Sequence, residues 1–113
     1  MHGDVSPKNV LVGEQGPLLL DAECAWFGDP AFDAAFCLNH LLLKCMVRPQ
    51  CTAALGTAFS AFTAAYARCV SWERWDELEG RIASLVPALM LARVDGLSPV
   101  EYLREATRGQ VRE

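Results

Sequence analysis

The sequence predicts an α+β domain, because strand-like segments come first and helix-like segments follow. Two short apolar runs, 10–12 and 18–20, enclose the turn sequence Gly-Glu-Gln-Gly-Pro, which is typical of a β-hairpin. From residue 29 onward, apolar residues recur at helical spacing. The chain has 113 residues, enough for one domain with a modest core. We therefore expect one hairpin and about four helices.

The predicted hairpin brings polar residues together at its open end. Its turn centres near Gln15, so Asn9 before the first strand is expected to face Asp21 after the second. Directly opposed residues in an antiparallel pair lie about 5 Å apart. An amide oxygen and a carboxylate at that distance suit Mg²⁺, which prefers hard oxygen ligands. Glu23 points to the same side if the chain stays extended, and Asp4 on the preceding loop is free to approach.

A single Asp or Asn near a turn is more often a cap or a solvated residue than a ligand. Lys8 is likewise well explained as a solvated lysine. The joint occurrence of Asp4, Asn9, Asp21 and Glu23 around a hairpin of matched length favours a common site.

Two helices are predicted in the middle of the chain. Asp29 is a good N-cap and Pro30 a good first residue for a helix that ends near Arg48 and Pro49. The second helix is predicted over 52–70, with apolar residues at helical spacing.

Two further helices are predicted towards the C-terminus. The third begins after Ser71, contains Pro87 as a kink and ends by Gly96. The sequence Ser-Pro-Val-Glu from Ser98 has the form of a capping box, which predicts a last helix through about Arg108.

Composition excludes several classes of function. The chain is 52% hydrophobic and has a net charge of −4, with its basic residues scattered, which argues against nucleic-acid binding. The longest apolar stretch is interrupted by polar residues and is too short for a bilayer, so no membrane association is expected. The odd number of cysteines without C-x-x-C spacing predicts reduced structural thiols in a cytoplasmic protein. These are Cys24, Cys37, Cys45, Cys51 and Cys69.

The segments HGDVSPKNVLV and LLLDAECAWFGDPAFDAA closely resemble the catalytic segment of aminoglycoside phosphotransferase-like kinases, the small-molecule relatives of protein kinases. The protein-kinase loop is His-Arg-Asp-x-x-x-x-Asn. His2, Gly3, Asp4 and Asn9 fit that frame, with Gly in the Arg position as in the small-molecule branch. The resemblance implies the C-terminal lobe of a protein-kinase-like fold.

The resemblance also implies roles for residues. Asp4 would be the catalytic base for a small-molecule hydroxyl acceptor, and ATP would be the phosphoryl donor. Mg²⁺ or Mn²⁺ would be held by Asn9 and Asp21, with Glu23 adding to the site. Supporting roles would fall to three further residues: Lys8 at the phosphates, and His2 and Asp33 bracing the loop.

The Asp-x-Glu step at Asp21 is similar to that of choline/ethanolamine kinases and methylthioribose kinases, which favours a metabolic kinase over a resistance enzyme. Residues 1–113 contain no Gly-rich phosphate loop and no Val-Ala-Ile-Lys-like strand. We therefore expect a C-lobe fragment that lacks the nucleotide-binding lobe, is inactive alone and self-associates through exposed apolar surface. The alternatives are a non-catalytic kinase-derived fragment or helical partner-binding module, and a plain metal-binding or structural α+β domain.

Overall fold

A computed structural model describes residues 1–113 and shows one antiparallel hairpin followed by four α-helices. The predicted α+β class and order of elements are confirmed, while a kinase-like lobe stays a prediction. The strands are β1 (Val10–Gly13) and β2 (Gly16–Leu19), and the helices are α1 (Ala31–Val47), α2 (Thr52–Cys69), α3 (Trp75–Asp95) and α4 (Glu105–Arg112). Short 3₁₀ turns occupy Pro7–Asn9, Ala22–Cys24 and Pro49–Cys51.

The register of the hairpin differs from the prediction by one residue. Val10 pairs with Leu19 and Gly13 pairs with Gly16, so the loop is the two residues between the glycines. Gly16 has a φ of +114°, a conformation that suits glycine at a tight turn. The predicted loop of residues 13–17 includes both glycines and centres on Gln15. The observed hairpin is instead centred between Glu14 and Gln15.

As a result, the predicted pairing of Asn9 with Asp21 is wrong. The carbonyl oxygen of Asn9 instead accepts a hydrogen bond from the backbone nitrogen of Leu20 at 2.8 Å. Asp21 lies one position beyond this last hydrogen bond.

Helices α1 and α2 begin and end close to their predicted bounds. The Asp29 carboxylate accepts a hydrogen bond from the Ala31 backbone nitrogen at 2.9 Å, although the N-cap position is Pro30 and the helix begins one residue later than predicted. Helix α3 begins at Trp75 rather than just after Ser71, and it continues through Pro87.

The predicted helix from Ser98 to Arg108 is wrong, since the last helix begins only at Glu105. The backbone nitrogen of Val100 donates to the carbonyl oxygen of Arg93, at the end of α3. Val100 and Leu103 are both buried in one cluster with Leu43 and Val94. This tertiary packing outweighs the local capping signal.

Helix α1 lies at the centre of the core. Its small buried residues, Ala31, Ala34 and Ala35, pack with Leu38 against Leu78 and Ile82 of α3. Partly buried aromatic residues of α2 cover this cluster; they are Phe59, Phe62 and Tyr66.

The hairpin lies outside this core. Val12 is 89% exposed and Phe27, after the hairpin, is 98% exposed. A groove of about 720 Å³ lies between the strands and helices α1 and α2, and most of its lining is apolar.

All five cysteines are free thiols, and burial raises the pKa of Cys37. None of the helices combines the length and the apolar character needed to cross a membrane.

Candidate functional site

The loop that carries Asp4 is held by the first turn of α1. Both carboxylate oxygens of Asp33 accept hydrogen bonds from this loop: Oδ2 from the His2 nitrogen at 2.6 Å, and Oδ1 from the Gly3 nitrogen at 2.8 Å. A carboxylate that accepts backbone N–H groups makes strong, charge-assisted hydrogen bonds. Asp33 therefore fixes the two residues that precede Asp4 to the rigid end of a helix.

A second contact holds the loop against the segment after the hairpin. The nitrogen of Met1 donates to the carbonyl of Trp26 at 2.9 Å, and the nitrogen of Trp26 donates to the carbonyl of Met1 at 3.1 Å. The pairing brings Gly3 onto Cys24, where an added Cβ would lie 2.6 Å from the Cys24 carbonyl oxygen. Gly3 also has a φ of +87°. Both the space and the backbone conformation require glycine at this position.

We expect Gly3→Ala to destabilise the fold more than Gly16→Ala. Each substitution forces alanine into a positive φ, which costs about 1–2 kcal/mol. At Gly16 a Cβ meets no atom within 4 Å, whereas at Gly3 it also clashes with the Cys24 carbonyl. Thermal unfolding of the two variants measures the difference. Equal losses of stability would show that the loop shifts freely and that the contact with Cys24 is unimportant.

The Asp4 carboxylate has one engaged oxygen and one free oxygen. Its Oδ2 accepts a hydrogen bond from Asn9 Nδ2 at 2.9 Å and lies 4.0 Å from Lys8 Nζ. No hydrogen bond reaches Oδ1. The Asp4 side chain is 23% exposed, whereas that of Lys8 is 72% exposed. The arrangement orients the carboxylate and leaves Oδ1 without a hydrogen-bond partner.

His2 supports the same loop from its other side. Its Nδ1 accepts a hydrogen bond from the Asp4 backbone nitrogen at 3.3 Å. Its Nε2 is buried and has no hydrogen-bond partner. The ring thus contacts the loop backbone through Nδ1, and the role of His2 as a bracing residue stays a prediction.

Asn9 is buried at the end of the 3₁₀ turn that precedes β1. Its Nδ2 donates to both the carboxylate and the carbonyl oxygen of Asp4, the latter at 3.0 Å. Both hydrogen bonds use the nitrogen of the amide, so Oδ1 is the atom left to accept a hydrogen bond or to bind a cation.

Asp21 ends the hairpin in an unusual conformation. Its φ of 62° and ψ of 60° lie in the left-handed region, and no other residue besides glycine has a positive φ. The chain then turns into the 3₁₀ turn Ala22–Cys24, which contains Glu23. The extended chain assumed for Glu23 is therefore not present, and that reason for expecting it beside Asp21 is wrong. Left-handed aspartates cost energy and occur often at functional sites.

No cluster of metal-binding side chains is present at the loop. No three His, Cys, Asp or Glu side chains lie close enough together to hold a metal ion, so Asp4, Asp21 and Glu23 do not form a carboxylate cluster. Mg²⁺ is commonly bound by one or two carboxylates together with water and substrate phosphates. Asn9 and Asp21 carry oxygen atoms of the type that such a site uses, and the roles of Asn9, Asp21 and Glu23 as metal ligands stay predictions.

An ion-pair cluster around Arg81 is not indicated by any local sequence pattern. Arg81 of α3 binds Asp29 through Nε at 2.9 Å and Glu73 at 2.8 Å. The hydrogen bond from Arg81 holds the pKa of Asp29 below its usual value. The cluster joins the start of α1, and with it Asp33, to α3. Asp29 and Arg81 are 52 positions apart, so no local pattern connects them.

A second missed cluster surrounds His40 on α1. The His40 ring is buried, and its Nδ1 lies 3.1 Å from the hydroxyl of Tyr102. Burial is the main reason that the pKa of His40 falls to about 4, and the charge of Arg93 lowers it further. The ring is therefore neutral at pH 7, and its Nδ1 shares a hydrogen bond with the tyrosine hydroxyl.

Comparison with known proteins identifies the family of this chain. The model of the APH family, described as the phosphotransferase enzyme family, matches residues 1–78. The matched range includes the Asp4 loop, the hairpin and α1. No curated protein and no solved structure matches the chain.

Proposed function

Because the chain belongs to the phosphotransferase enzyme family, we propose that its Asp4 loop transfers the γ-phosphoryl group of ATP to a hydroxyl group of a small molecule. Family membership gives phosphotransferase chemistry in general. The donor, the acceptor class and the residue roles are the proposal.

The geometry of Asp4 is the observation that carries the proposal. Its Oδ2 is held by Asn9 while Oδ1 has no partner, so the carboxylate is oriented with one acceptor free. In the proposed step, the acceptor oxygen bonds to the γ-phosphorus, the bond from that phosphorus to the bridging oxygen of ADP breaks, and the hydroxyl proton passes to Asp4. Phosphoryl transfer needs little more from the protein than positioning and charge stabilisation.

Asn9 and Asp21 are proposed to hold Mg²⁺, which when bound would neutralise charge on the phosphates of ATP. The hydrogen bonds from Asn9 Nδ2 to Asp4 would then serve two purposes. They orient the Asp4 carboxylate, and they turn the Asn9 Oδ1 atom away from Asp4. The exposed ammonium of Lys8, 4.0 Å from Asp4, is proposed to face the transferred phosphate.

Transfer of label from γ-labelled ATP tests the proposal. The full-length gene product is incubated with MgATP and a panel of alcohols, amino alcohols and hydroxy acids. We expect labelled phosphate to appear on at least one hydroxyl compound. Binding of MgATP without transfer to any acceptor in a broad panel would contradict the proposal.

A further inference from the structure

A second cavity, of about 690 Å³, lies at the C-terminal end of α1. Its size falls in the range of small-molecule sites, which is about 300–1,000 Å³. The end of α1 contributes Lys44, and Arg48 follows that helix. The segment before and within α4 contributes Tyr102, Arg104 and Thr107.

The cavity is lined by three cationic side chains and by no carboxylate. Lys44, Arg48 and Arg104 line it, and none of the three forms an ion pair. Elsewhere in the chain, Arg81 and Arg112 are each paired with two carboxylates. The net charge of the chain is −4, so a general excess of basic residues does not explain this concentration of positive charge.

Converging cations repel one another and are stabilised when an anion binds between them. Arginine is well suited to that task, because its guanidinium group forms paired hydrogen bonds with carboxylate or phosphate. The Lys44 ammonium is held 5.0 Å from the centre of the Tyr102 ring, which keeps it at the cavity. The chemistry of the lining therefore selects a ligand with a carboxylate or phosphate group.

The cavity lies at the opposite end of α1 from the Asp4 loop. Asp33 in the first turn of α1 holds that loop, whereas Lys44 at the cavity lies 11 residues further along the helix, or about 16 Å at 1.5 Å per residue. The cavity is therefore separate from the Asp4 site.

We infer that this cavity binds a small molecule that carries a carboxylate or phosphate group. The inference stands on the lining of the cavity and does not depend on the proposed function.

Titration with inorganic phosphate tests the anion site directly. Chemical shifts of backbone amides are followed by NMR in the whole chain at low ionic strength. We expect saturable shifts around the cavity, and binding about tenfold or more weaker in Arg48→Gln and in Arg104→Gln, since each loses a charge-assisted hydrogen bond. Arg68→Gln is the matched control, because Arg68 is exposed, forms no ion pair and does not line the cavity. Equal weakening in the control, or an absence of saturable shifts, would overturn the inference.

Discussion

Asp4→Asn is expected to lower kcat by about 10²- to 10⁴-fold, the range that a positioned general base contributes. The substitution keeps the shape of the side chain and its hydrogen bond from Asn9 Nδ2, but it removes the group that accepts the proton. The affinity for nucleotide should change little, because the free oxygen of Asp4 faces the acceptor in the proposed arrangement. Label transfer in the full-length gene product measures kcat, and nucleotide titration measures affinity.

Glu14→Gln is the control for this experiment. Glu14 is an exposed acidic residue in the loop of the hairpin, so its substitution removes the same charge without touching the Asp4 loop. We expect it to leave kcat unchanged. If Asp4→Asn folds with an unchanged melting temperature and keeps full turnover, Asp4 is not the base.

Local signals in the sequence were sufficient for most of the secondary structure. The cap at Asp29 and the glycine at Gly96 each depend on neighbouring residues, and the helices that they delimit start or end close to them. The capping box at Ser98 is also a signal from neighbouring residues. Val100 and Leu103 are nevertheless buried in the core, and the segment is not helical. A local pattern fails where buried neighbours from distant segments decide the conformation.

The candidate site shows the same contrast between local signals and contacts among distant segments. The resemblance of the loop and of the segment after the hairpin to a kinase catalytic segment selects Asp4, Asn9 and Asp33, which the structure connects through hydrogen bonds of the loop. The opposition of Asn9 and Asp21 depended on the residue count of a turn, and an error of one residue changed the pairing. The Arg81 cluster and the cationic cavity consist of residues far apart in sequence, so only the folded chain reveals them.

Asp21→Asn is expected to weaken the binding of Mn²⁺ with nucleotide by at least about 100-fold. Loss of a residue that only orients a metal ligand already costs about 10- to 100-fold, and a direct ligand should cost no less. Asparagine tolerates the left-handed backbone of Asp21, so the substitution removes the charge with little change in strain. Paramagnetic relaxation of water protons, measured as Mn²⁺ is titrated into the protein with nucleotide, reports the binding without requiring turnover.

Asp21→Gly separates the role of the carboxylate from that of the backbone. Glycine adopts a φ of 62° without the steric cost that other residues carry, so this variant removes the strain and the ligand together. We expect its stability to be close to that of the parent, and its Mn²⁺ binding to be as weak as in Asp21→Asn. Glu23→Gln, in the adjoining 3₁₀ turn, should have a smaller effect because Glu23 does not form a cluster with Asp21 and Asp4. If both Asp21 variants bind Mn²⁺ with nucleotide as tightly as the parent, the left-handed residue serves only to end the hairpin, and the metal ligands lie elsewhere.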